Sequence, residues 1–184
     1  MSASNASGSL GTRRSTASGG GPIGEKYQHN LCAFWLGEHC YGLQTALVGE
    51  VVTVDALTPV PLAPAPVRGL FNLRGAPVAL VDLAQVLELT DAGISEEPRP
   101  GRPLVALVLR TESMFVGLLI RRMEMVITRG RGTLSPPEAS AAEHPVVAGF
   151  LELTDRPDLP VTVLDSQALL TRLDRLKYLD SSDA

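Results

Sequence analysis

Residues 69–89 read GLFNLRGAPVALVDLAQVLEL, and the fold of the chain turns on how this stretch is parsed. Leu70, Phe71 and Leu73 surround a polar Asn72, and Arg74-Gly75 then breaks the apolar run where a hairpin turn belongs. Val78 to Val81 resumes as a strand rich in β-branched residues, and Asp82 closes it. Asp82 also stands where a helix N-cap would, with Gln85 at the third helical position. Both side chains are therefore expected to satisfy backbone N–H groups that a helix leaves unpaired. The expectation is strand, turn, strand and capped helix in about twenty residues.

Working outward, the same plan occurs twice. Upstream, Cys32, Phe34 and Leu36 share one strand face, Gly37-Glu38-His39 turns the chain, and Cys40-Tyr41-Gly42-Leu43 returns. Val48 to Val54 is a further strand with Glu50 among valines, and Thr58 to Val67 is a proline-rich loop that cannot donate to a sheet. Downstream of a polar, breaker-rich linker at Asp91–Pro103, Leu104–Leu109 matches the first strand. Val116-Gly117-Leu118 then matches Tyr41-Gly42-Leu43, and Met123–Ile127 matches Val48–Val52. A second proline-containing loop spans Thr133–Pro145, Gly149–Leu153 falls on Gly69–Leu73, and Val161–Asp165 falls on Val78–Asp82. Each half ends in a capped helix, the second being longer, with Leu169, Leu170, Leu173 and Leu176 at helical spacing. Short strands at regular intervals with one helix per half predict a mainly β protein of two small barrels, and exclude a doubly wound parallel sheet. One position fails to repeat: Asn72-Leu73-Arg74-Gly75 meets Glu152-Leu153-Thr154-Asp155, which points to a role for Arg74 beyond the turn.

Composition narrows the function. The chain has 184 residues, is 45% hydrophobic and carries a net charge of −4, enough for a real core and against a general nucleic-acid binder. A single-stranded nucleic-acid module is the alternative for small barrels. It would need a basic groove with interleaved aromatics, and aromatics make up only 4% here. Residues 1–24 are dominated by Ser, Gly, Ala and Thr, and the disordered leader is placed at 1–27. Arg13-Arg14 lacks the apolar region an export signal needs, and apolar runs elsewhere are too short to cross a bilayer, so a cytoplasmic location is expected. Cys32 and Cys40 flank one turn, face other residues in the predicted pairing, and are expected to be free thiols.

Enzyme signatures are missing on inspection: no G-x-x-x-x-G-K-[ST] loop, no G-x-G-x-x-G after a strand and no G-x-S-x-G elbow occurs. Asp82 and Asp165 each precede a helix pattern and read as caps, not paired catalytic carboxylates. His29, His39 and His144 lack metal-ligand spacing, so neither metal nor cofactor is expected. Trp35 lies on the strand face opposite Phe34, either as an anchor for a partner or as cover for a barrel end.

In this order and spacing, FWLGEHCYGL, VGEVV, TPVPLAPAPVRGLFNLRG and VALVDLAQVL resemble the bacterial chemotaxis coupling protein CheW and related CheW-like modules, over roughly Asn30 to Leu176. The most specific segment is GLFNLRG followed by Pro77 and Val81-Asp82-Leu83. The resemblance implies two pseudo-repeated five-stranded SH3-like barrels with short helices, a C-terminal helix and a groove between them. The CheW-like domain would span 28–180, the first barrel about 30–95 and the second about 102–176. It also implies a non-catalytic adaptor in a two-component chemotaxis system. Such an adaptor couples chemoreceptor cytoplasmic tips to the regulatory domain of a CheA-type histidine kinase in cytoplasmic receptor arrays, serving flagellar or pilus-driven movement. Carried over by position, Arg74, Glu50, Gly69 and Val48 belong to the receptor-facing surface or keep its shape, and Asn72, Gly75, Gly117 and Gly149 join them as interface-shaping candidates. Glu50 and Arg74 are further expected to meet as a bidentate pair that fixes the signature turn.

Overall fold

Among the described residues, alternating apolar positions build twelve strands, accompanied by two helices and one 3-10 turn (Thr45–Leu47). The computed structural model describes residues 25–89, 98, 101–112, 114–137 and 146–178. In chain order the strands are β1 (Glu25–Lys26), β2 (Leu31–Leu36), β3 (His39–Gln44), β4 (Val48–Val54), β5 (Val67–Leu73), β6 (Ala76–Asp82), β7 (Leu104–Arg110), β8 (Phe115–Ile120), β9 (Arg122–Ile127), β10 (Gly132–Ser135), β11 (Val147–Leu153) and β12 (Val161–Leu164). Helix α1 (Leu83–Val86) follows β6, and α2 (Ser166–Tyr178) follows β12. The residues proposed as a leader up to 24, and most of the proposed linker, lie outside the described residues.

The fold is mainly β, in two sheets ordered β4-β7-β8-β6-β5 and β1-β10-β11-β12-β3-β2-β9. The repeat read from the sequence holds strand for strand: β7, β8, β4, β5 and β6 take the places of β2, β3, β9, β11 and β12. It holds in register too. Leu80 pairs with Gly117 in one parallel seam, and Val163 with Gly42 in the other. The register slips between Val67 and Gly69 on one side and between Val147 and Gly149 on the other.

Three expectations need correction. The halves do not fold separately at 30–95 and 102–176, because each lends its leading hairpin to the other: β2-β3 sits between β12 and β9, and β7-β8 between β4 and β6. The physical reason is burial on both faces. Phe34, Leu36, Leu107 and Leu109 point into a central cluster shared by both sheets and both helices. Leu31 and Ala33 enter the core of the seven-stranded sheet, while Leu104, Ala106 and Val108 enter that of the five-stranded one. The second sheet also exceeds five strands: β10 forms within the predicted Thr133–Pro145 loop, and β1 pairs with it. Finally, the leader boundary at 27 is late, since Tyr27 is buried and its N–H donates to the Gly132 carbonyl.

Asp82, 1% exposed, is the one buried charged residue among those described. Its Oδ1 accepts from the N–H groups of Ala84 (3.1 Å) and Gln85 (3.4 Å), as a cap should. The reciprocal half of the predicted capping box is replaced. Gln85 Nε2 donates to Asp82 Oδ2 (3.3 Å), because the Asp82 N–H is already taken by the Pro66 carbonyl at 2.7 Å. Arg68 Nη1 reaches the same Oδ2 at 3.5 Å. On α2, Arg172 Nη1 donates to the Val86 carbonyl (2.7 Å) at the end of α1 and lies 3.1 Å from Glu88 Oε1, tying the two helices together.

Two outcomes follow. Fragments 25–97 and 98–178 should each give poorly dispersed NMR spectra alone and a dispersed spectrum when mixed in equal amounts; a cooperative melt from either fragment alone would contradict the hairpin exchange. Asp82→Ala, which strips two cap bonds and removes the carboxylate beside Arg68, should cost about 1–3 kcal/mol in a urea titration.

Candidate functional site

The signature hairpin carries most of the predicted site residues. Arg74 and Gly75 form its two-residue turn with φ of +53° and +89°, the combination that suits the right-handed twist of the flanking strands and favours glycine at one place or both. Asn72 Oδ1 accepts the Gly75 N–H at 2.7 Å, so the turn is held by its own preceding side chain. Arg74 Nη2 then meets Glu50 Oε2 at 2.7 Å. The expected pairing is therefore present, here through one guanidinium arm instead of two. The Arg74 side chain stays 77% exposed, and Glu50 23%. The pair joins β4, at one edge of the five-stranded sheet, to the turn after β5 at the other edge.

Gly69 and Gly149 are shape-determining in the same way. A Cβ on Gly69 would lie 2.7 Å from the Thr58 carbonyl oxygen, where Thr58 bridges Leu70 across the open edge. A Cβ on Gly149 would collide with the Ser135 carbonyl of β10. Gly117 leaves room for the Phe71 ring, whose Cε1 would lie 2.8 Å from an added Cβ. Val48 begins β4 and packs on the central cluster. Arg74, Glu50, Asn72 and Gly75 are thus brought together, Gly69, Gly117 and Val48 belong to the same sheet, and Gly149 stands in the other one.

The second hairpin tip answers the first with reversed charge. Asp155, in the place of Gly75, pairs with Arg131, which precedes β10. The failed repeat at Arg74 is therefore balanced by a different ion pair at the same location, and the asymmetry alone does not argue for a special role. Sequence reasoning missed this because the partner changes sign and comes from the turn before β10, not from the strand that matches β4.

It also missed a cluster around Trp35. Glu124 is the extra residue of a bulge in β9, lying between Met123, which pairs with Phe34, and Met125, which pairs with Ala33. The bulge aims its carboxylate at Trp35, whose Nε1 donates to Oε2 at 2.6 Å. Arg122 donates to the same oxygen at 2.5 Å and lies over the indole, 4.5 Å from its centroid. These bonds, that from Trp35 first, hold the Glu124 carboxyl below the usual carboxylate range. Trp35 is thus fixed in place and packs on the core of the seven-stranded sheet. Cys32 and Cys40 are both buried free thiols. Burial raises the Cys32 thiol and pushes that of Cys40 up to about 11, so both stay protonated and unreactive at neutral pH.

Comparison with known proteins bears on this arrangement. The family model described as CheW-like domain matches residues 31–174. A chemotaxis protein CheW of Treponema pallidum is 33% identical over 112 residues, 60% of this chain and 65% of that protein, so the chain spans just under two thirds of that relative. A chemotaxis protein CheW of Rhizobium meliloti is 31% identical over 128 residues, covering 68% of this chain and 79% of that one. Among solved structures, the scaffolding protein TtCheW of Thermoanaerobacter tengcongensis shares the fold, with a TM-score of 0.57 at 21% identity, covering 75% of this chain and 89% of the other.

The Glu124 cluster sets a pH dependence. A carboxyl whose folded pKa is depressed adds stability above its unfolded value, and that stability is lost as pH falls through the folded pKa. Emission from Trp35, the only tryptophan, should accordingly hold steady through the ordinary glutamate range near pH 4.5 and change below it, and Glu124→Gln should remove that transition.

Proposed function

The chain belongs to the CheW-like domain family, and on that premise we propose that it is a non-catalytic adaptor coupling transmembrane chemoreceptors to a CheA-type histidine kinase. The observation that carries the reading is the family match over the folded core, together with the signature hairpin that offers Arg74 to solvent. An adaptor holds two surfaces in register, so its working parts are contact residues and the backbone that aims them. The glycines of the candidate site supply that backbone, and the hairpin tip supplies a planar cation suited to carboxylate recognition.

The proposed partners are the cytoplasmic tips of methyl-accepting receptors and the regulatory domain of the kinase, in an array beneath the membrane, with contact to the membrane only through the receptors. The output is flagellar chemotaxis or pilus-driven twitching. Signalling would then be a small difference in binding free energy between receptor states, passed to the kinase through the adaptor.

Within this reading Arg74 orients the receptor-facing surface and is itself contacted. An exposed ion pair contributes only about 0–1 kcal/mol, so stability is a weak reason for its presence. Arg74→Ala should shift the melting temperature by no more than about 3 °C while receptor co-sedimentation falls. Unchanged co-sedimentation would refute the role of Arg74, and failure of the unaltered chain to bind either receptor or kinase domain would refute the adaptor reading.

A further inference from the structure

The chain from Ala56 to Val67, which links β4 to β5, carries four prolines and no charged residue. At its tip stands Leu62, which at 96% is the most exposed large hydrophobic residue among those described, the next being Val126 at 54%. A single leucine in water is ordinary. Its backbone is not, because Leu62 takes φ +60°, a left-handed conformation in which a Cβ crowds the main chain. Pro61 stands before it, and the Ala63 N–H donates to the Val60 carbonyl at 3.3 Å. This is the arrangement of a type II turn, whose third position ordinarily belongs to glycine or asparagine. The free chain therefore holds strain at a side chain that buries almost nothing, a combination that points outward to a partner.

The loop is braced from both sides. Thr58 exchanges two backbone hydrogen bonds of 2.8 Å with Leu70, the Val67 N–H donates to the Pro64 carbonyl at 2.8 Å, and the Asp82 N–H to that of Pro66 at 2.7 Å. With prolines between these ties, little conformational freedom is left to lose when the tip is gripped. The ties also set its direction. Thr58 runs antiparallel to Leu70 and the loop returns to Val67, so it leaves the five-stranded sheet at the start of β5, whereas Arg74 stands past the end of that strand. The seven residues of β5, at ~3.3 Å each, put these two ends roughly 20 Å apart.

We infer that Leu62 anchors a second contact surface, inserting into an uncharged, apolar socket on the regulatory domain of the kinase. The inference rests on the adaptor reading, in which Arg74 faces the receptor. An adaptor needs a contact for each partner, and this hairpin displays two unlike ones at opposite ends, a cation and an apolar knob. With the cation given to the receptor, the knob falls to the kinase. The uncharged run from Ala56 to Val67 leaves nothing for an ion-paired surface to meet. The positive φ at Leu62 also interrupts the polyproline helix that an aromatic groove would grip.

The test titrates the full chain against the full-length CheA-type kinase of the same organism by calorimetry, with receptor co-sedimentation run in parallel. Leu62→Asn removes the apolar side chain and suits the backbone, so kinase affinity should fall about tenfold or more. Co-sedimentation should be kept, and the melting temperature should stay level or rise by up to about 3 °C. Leu62→Met, which keeps an apolar side chain, should hold affinity within about threefold. A smaller loss in Leu62→Asn, a lower melting temperature, a loss of co-sedimentation, or a Leu62→Met that binds no better than Leu62→Asn overturns the inference. So does Leu62-dependent flotation with vesicles of phosphatidylethanolamine and phosphatidylglycerol, which would make a lipid surface the occupant. Failure of the unaltered chain to bind either partner removes the adaptor reading and this inference with it, whereas kinase binding indifferent to Leu62 removes the inference alone.

Discussion

Two short parallel seams, β6 against β8 and β3 against β12, hold this protein together. Parallel neighbours cannot be joined by a tight turn, so each seam brings together strands far apart in the chain. Here each seam unites a strand of one half with a hairpin lent by the other. The lent hairpins are buried on both faces, and neither half could cover its own. The central cluster exists only because both exchanges occur, drawing Phe34 and Leu36 from one hairpin and Leu107, Leu109 and Leu118 from the other.

Polar groups then fix what apolar burial leaves adjustable. The Asp82 carboxylate joins the start of α1 to Arg68 beside the Gly69 bulge, so the end of β6 and the entry to β5 are set by one side chain. Arg172 does the same between the helices. At the hairpin tips, Arg74 with Glu50 and Asp155 with Arg131 link equivalent places with opposite polarity. Each tip of the duplicated fold therefore carries an ion pair, with the sign reversed between them.

The candidate contact residues divide by what they do. Gly69, Gly117 and Gly149 act by having no side chain where a carbonyl or a phenyl ring comes close. Asn72 and Gly75 shape a turn whose product is the placement of Arg74. Trp35, stacked by Arg122 and anchored to Glu124, is a second rigid feature on the other sheet. Such an arrangement holds surfaces at fixed separation, which supports the proposed scaffold reading.

The sequence by itself determined the local elements. The 69–89 stretch forms its two strands, its turn at Arg74-Gly75 and its cap at Asp82, and the repeat predicted from residue matches holds down to the Gly42 and Gly117 registers. The pairing of Glu50 with Arg74 was legible as well, since a lone carboxylate among valines and a lone arginine at a turn both seek partners. These features depend on neighbours within a few residues, or on a period that the chain repeats. Only the tertiary structure decided which hairpin completes which sheet, because alternating apolar residues on β2 and β7 declare two buried faces without naming the strands that cover them. For the same reason the Glu124 bulge and the reach of Arg172 to α1 were out of sight: each joins residues of different halves, while the reversed pair at Asp155 depends on β10, a strand that reads as loop in the sequence.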